Sequence, residues 1–125
     1  MTGKKILVVD DEADLVHGLT VRLQANGYLV VSAGDGAAAV RVALQERPDL
    51  VLLDIVLPGL HGFKVLEQFR QHVALVRTPV IVLSSRNPHP FAQDALRAGA
   101  IAFFQKPADN GELLAAIRQA LSESS

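Results

Sequence analysis

The feature that most constrains this chain is a set of short β-rich runs that are apolar on both faces. They are Ile6 to Val9, Val51 to Leu53, Val80 to Leu83 and Ile101 to Phe104, with a weaker fifth at Leu29 to Ser32. A strand in a sheet with one wet face alternates apolar and polar residues, whereas an unbroken apolar run belongs in a parallel sheet covered on both sides. The segments between the runs carry the helical period. Leu15, Leu19 and Leu23 recur every fourth residue, with Gly27 as the stop. A second helix is expected from about Ala37 to Gln45, before Pro48, and a third carries Phe63, Leu66 and Phe69 with Gly62 near its start. A fourth runs from about Phe91 to Arg97 and stops at Gly99. The last carries Leu113, Leu114, Ile117 and Leu121 behind a cap at Asp109 or Asn110.

Strand and helix therefore alternate five times. With right-handed crossovers, this predicts an α/β fold: a three-layer α/β/α sandwich around a five-stranded parallel sheet. A chain of 125 residues suits one domain with its own core, here residues 1–125. Half of the residues are apolar and a fifth charged, an ordinary globular balance. Twelve basic residues against 13 acidic give a net charge of -1, which supplies no electrostatic reason for a nucleic-acid or membrane surface. The absence of cysteine removes disulfides and thiolate metal sites and suits a reducing cytoplasm. His17, His61, His72 and His89 are too scattered to pair at zinc-ligand spacing. The apolar run near the N-terminus is too short for a signal peptide or a membrane span.

In sheets of this kind the reactive crevice lies beyond the carboxyl ends of the strands. Polar groups are delivered to that edge by four runs: Asp10 and Asp11 after the first, Asp54 after the third, Ser84 and Ser85 after the fourth, and Lys106 and Pro107 after the fifth. Taken singly, an Asp after a strand is most often a turn or cap residue, and a Ser there usually satisfies backbone. Taken together, three carboxylates converging at about 4 Å repel by about 4 kcal/mol per pair at an effective dielectric of 20, so the corner calls for a cation. Oxygen donors without His or Cys favour a hard ion that keeps some of its waters, which describes Mg2+. Lys106 adds a fixed positive charge and Ser84 a hydroxyl, so that a phosphoryl group carried on a carboxylate would find partners for its oxygens.

With these residues in place, the segments "ILVVDDE", "PDLVLLDIVLPGLHG", "PVIVLSS" and "RAGAIAFFQKP" closely resemble the receiver domain of two-component response regulators over nearly the whole chain. The resemblance implies the flavodoxin-like strand order 2-1-3-4-5, an example of that order already associated with this family. It implies a phosphorelay module, not a turnover enzyme, in which Asp54 accepts a phosphoryl group from a phosphohistidine on a histidine kinase or phosphotransfer domain. Asp11 would bind Mg2+ directly, Asp10 largely through water, and the Val56 carbonyl would complete the protein ligands. Lys106 and Ser84 would contact the phosphoryl group, and Ser84 and Phe103 would form the switch. Phe104 would face the other side of the strand as core. The fourth helix, fifth strand and fifth helix would form the output face, with homodimer formation on phosphorylation left open and a cis peptide at Pro107.

Two departures from the family pattern carry expectations of their own. Val56 and Arg86 line the path of a hydrolytic water, the first without a side-chain hydrogen bond to orient it, which predicts slow loss of the phosphoryl group. Pro88 and Pro90 predict a late start of the fourth helix, near Pro90 or Phe91, with Phe91 a candidate partner contact. Two rival readings are a phosphate-independent receiver-like interaction module and a phosphatase of the haloacid dehalogenase type. The second rival needs an Asp-x-Asp after the first strand, where this chain has Glu12 following Asp10 at that spacing.

Overall fold

The computed structural model describes residues 3–55, 62–84, 88–106 and 109–124, with backbone alone for 88–92 and 123–124. Five strands, β1 (Lys5–Val9), β2 (Leu29–Ala33), β3 (Leu50–Asp54), β4 (Val80–Ser84) and β5 (Ala102–Gln105), alternate with five helices. The helices are α1 (Ala13–Ala25), α2 (Gly36–Glu46), α3 (Gly62–Gln71), α4 (Pro88–Arg97) and α5 (Asn110–Ser124). All four strand pairings are parallel, in the order β2-β1-β3-β4-β5. The expected α/β/α sandwich and flavodoxin-like order are both present.

The inner strands are covered on both faces, as their composition requires. Successive residues of β1 and β3 point to opposite sides of the sheet and enter two separate apolar clusters. Leu7, Val9, Val51 and Leu53 pack with Val65, Leu66, Phe69 and Ala95 beneath α2, α3 and α4. Ile6, Val8, Leu50 and Leu52 pack with Leu19, Leu23, Leu113 and Ile117 beneath α1 and α5. Two helices therefore cover one face of the sheet and three cover the other. β2 was the weakest run in the sequence because it is an edge: Leu29 is 55% exposed and Ser32 is also exposed.

Helix ends follow the chemistry of the chain. Gly27 and Gly99 stand at φ +88° and +113°, a left-handed backbone that ends α1 and α4 where the sequence places its stops. Asp35 caps α2 through the Ala38 N–H, and Asp109 caps α5 through the Glu112 N–H at 2.9 Å. Arg47 closes α2 in the same left-handed region, at φ 49° and ψ 61°, without being glycine.

Two expectations need correction. α4 begins at Pro88, not near Pro90 or Phe91. The first four N–H groups of any helix have no partner inside it, so both prolines fit the first turn, where a missing N–H removes nothing. The restriction that Pro90 places on His89 is overridden; the Phe91 side chain lies outside the described residues. β5 begins at Ala102, leaving Ile101 49% exposed before the strand.

Candidate functional site

The topology assembles the site without help from long loops. Val9 of β1 pairs with Leu53 of β3, so the next residues, Asp10 and Asp54, emerge side by side from the middle of the sheet. Both are buried, at 4% and 6% exposure, whereas Asp11 projects into solvent. One carboxylate oxygen from each of the three lies within 4.8 Å of the others. This is the close-set trio expected from the strand ends.

Lys106 arrives from the other side. Ser84 pairs with Gln105, and the carbonyl of Ser84 accepts the backbone N–H of Lys106 at 2.7 Å, which fixes where the lysine leaves the sheet. Its ammonium lies 2.6 Å from Asp10 Oδ2, 3.3 Å from Asp54 Oδ2 and 3.4 Å from Glu12 Oε1. The lysine is thus held more closely by Asp10 than by Asp54. Burial is the largest single influence on this amine and acts to lower its pKa. The hydrogen bond that the ammonium donates to Asp10 and the charges of Asp54 and Asp10 outweigh that influence together, so the pKa is raised above 10.5. The ammonium is therefore a permanent charge at neutral pH.

Asp10 is held at both oxygens, since Oδ1 accepts the Glu12 N–H at 2.9 Å while Oδ2 faces Lys106. Glu12 stands at the N-cap position of α1 but makes no side-chain cap; its carboxylate reaches toward Lys106 instead. Ser84 is fully buried at the end of β4. Phe103 and Phe104 do face opposite sides of β5, Phe103 against the α2–α4 cluster and Phe104 against the α1–α5 cluster. Both are half-buried, so Phe104 is no more a core residue than its neighbour. Val56, Arg86 and Pro107 lie outside the described residues.

The donor set fits a hard cation. Three carboxylates sit against one ammonium, so the corner keeps an excess of negative charge, and the set contains no nitrogen or sulfur donor. Asp11 is the exposed member and is reached from a cleft of about 490 Å3 bordered by Asp10, Val16, His17 and Ser32. A cleft of similar size, about 510 Å3, lies at the opposite end of the strands beside Arg70 and Pro79, away from these carboxylates. Sequence reading placed Asp10, Asp11, Asp54, Ser84 and Lys106 on this edge, and the structure brings the three carboxylates and the ammonium together. Sequence reading did not give Glu12 a part in holding Lys106. The signal available for it was the third consecutive acid in "DDE".

Fold and site together define a parallel α/β module with an acidic pocket at the carboxyl edge of its sheet. The model of the response regulator receiver domain family matches residues 6–118, and the chain belongs to that family. It is 36% identical to protein PilH of Pseudomonas aeruginosa over 118 residues, 94% of this chain and 98% of PilH. It is 40% identical over 116 residues to the transcriptional regulatory protein KdpE of Mycobacterium tuberculosis, covering 93% of this chain but 50% of KdpE. The chain therefore spans nearly the full length of one such relative and half of another. Among solved structures, a putative response regulator from Chloroflexus aurantiacus superposes with a TM-score of 0.91 at 26% identity, covering 97% of this chain and 99% of that one. The BeF3-activated N-terminal receiver domain of RstA from Klebsiella pneumoniae gives 0.88 at 30% identity, with 94% and 98% covered. Among the described residues, no helix is long and apolar enough to cross a membrane.

Proposed function

We propose that residues 1–125 form one receiver domain that accepts a phosphoryl group on Asp54 from a phosphohistidine of a histidine kinase or phosphotransfer domain in the cytoplasm. The observation that carries this reading is the convergence of three carboxylates within 4.8 Å beside the Lys106 ammonium. Asp11, Asp10 (largely through water), Asp54 and the Val56 carbonyl would hold Mg2+, whose charge would lie against the phosphoryl oxygens. An Asp54 oxygen forms the new P–O bond as the P–N bond of the donor breaks, and the electron pair leaves with the imidazole nitrogen, which takes up a proton. Lys106 neutralises charge on the transferred group, and its three N–H donors can shift from Asp10 and Glu12 toward phosphoryl oxygens without leaving the pocket. The Ser84 hydroxyl donates to the same group, and Phe103, on the adjacent strand β5, follows Ser84.

The output is carried by the α4–β5–α5 face to a partner or to a further domain, and Val56 with Arg86 gives a slow loss of the phosphoryl group. The BeF3-activated state named for the RstA receiver is in keeping with this chemistry. The module assists its own phosphorylation and is not a turnover enzyme. The test is incubation of the chain with acetyl phosphate and Mg2+, read by mass. Addition of one PO3 unit to the native chain but not to Asp54→Ala is expected. Equal labelling of both, or of neither, refutes the reading.

A further inference from the structure

We infer that Gly62 is a positioning residue for Asp54, an inference that rests on the phosphoacceptor reading. Gly62 opens α3, and its N–H donates to the carbonyl of Ile55 at 3.1 Å, one residue beyond Asp54. The approach is so close that a Cβ at position 62 would lie 2.5 Å from both Cα and O of Ile55 and 2.8 Å from its carbonyl carbon. All three are backbone atoms, so no side-chain rotation relieves the contact. Neither partner is free to withdraw. Ile55 is 1% exposed within the α2–α4 cluster, and α3 is pinned into the same cluster by Val65, Leu66 and Phe69, each at most 1% exposed.

A methyl group at position 62 therefore forces a displacement of roughly 0.5–1 Å, shared between the first turn of α3 and the Ile55 backbone, whose Cα is joined through one peptide to Asp54. Misplacement by about 1 Å of a group that must meet a reacting atom in line lowers rates by up to about 100-fold. The missing side chain at Gly62 thus lets the start of α3 close on the backbone one residue beyond the Asp54 carboxylate.

The experiment uses the full chain and two variants, Gly62→Ala and Gly18→Ala. Gly18 is the control because a Cβ there meets nothing within 4 Å. Phosphorylation by acetyl phosphate at saturating Mg2+ is measured beside urea unfolding, with and without trimethylamine N-oxide, which restores compact folding where stability alone is lost. Gly62→Ala is expected to be slower by 10- to 100-fold even when fully folded in the osmolyte, with Gly18→Ala within twofold of the native chain. A rate for Gly62→Ala that returns to the native value in the osmolyte, or that never falls, overturns the inference and leaves Gly62 a packing residue. If the native chain itself takes no phosphoryl group, the function proposed above fails separately. Positioning is then read from the backbone amide shifts of Asp54 and Ile55: movement in Gly62→Ala but not in Gly18→Ala supports it, and no movement overturns it.

Discussion

Replacing Asp11 by Asn is expected to stabilise this protein when no divalent ion is present and to destabilise it, relative to the native chain, when Mg2+ is added. The carboxylate of Asp11 lies within 4.8 Å of those of Asp10 and Asp54. At that separation each repulsion is about 3.5 kcal/mol at an effective dielectric of 20 and about 0.9 kcal/mol at the value of water. Asp11 is exposed, so the lower figure governs, and removing two such repulsions yields about 1–2 kcal/mol of added stability. For a domain of this size that raises Tm by about 5 °C. With Mg2+ at about 100 times its Kd the native chain gains about 2.7 kcal/mol, while the variant, short of one charged ligand, gains less, and the order of stability inverts. Urea midpoints in EDTA and in Mg2+ test both halves, and the EDTA difference should narrow at high salt because exposed charges are screened. An Asp11→Asn chain that is less stable than native in EDTA, or that gains as much from Mg2+, would refute the picture of an over-charged corner.

The Lys106 ion pairs should be insensitive to pH across the neutral range. Because its folded pKa is raised above 10.5, the contribution is fully present below 10.5 and lost as pH rises through the folded value; the stability gap between native and Lys106→Met, followed by urea unfolding, should be flat from pH 7 to 10 and shrink only beyond. Arg47→Gly should stabilise by about 0.5–1 kcal/mol, since a non-glycine residue at φ 49° carries the steric penalty of the left-handed region; a lower Tm would show that the guanidinium bond to the Leu44 carbonyl at 3.1 Å matters more.

The architecture was legible because the strands that need two-sided cover announce it. Val51 to Leu53 and Val80 to Leu83 have no polar residue to offer a wet face, and parallel pairing with alternating helices follows from that alone. The carboxylates and Lys106 were legible for the same reason, since a parallel sheet sends every strand's last residue to one edge. What stayed hidden depends on finer geometry. Whether Lys106 settles nearer Asp10 or Asp54 turns on a 0.7 Å difference between two contacts, 2.6 and 3.3 Å, which no spacing in the sequence encodes. The start of α4 was misplaced because two prolines read as breakers in isolation but are harmless in a first turn. The requirement for glycine at position 62 arises only once α3 is seated against Ile55, a contact between segments whose approach the sequence does not specify.

The hydrogen bond from the Lys106 backbone to the Ser84 carbonyl has a mechanical corollary. It ties the backbone that carries the ammonium to the backbone that carries the buried Ser84, so a shift of either strand end at the rim is passed to the other. A movement of the outer strand β5 at that rim would reach Lys106 directly and Ser84 only through this bond, whereas Asp10 and Asp54 follow β1 and β3, which pair with each other in the middle of the sheet.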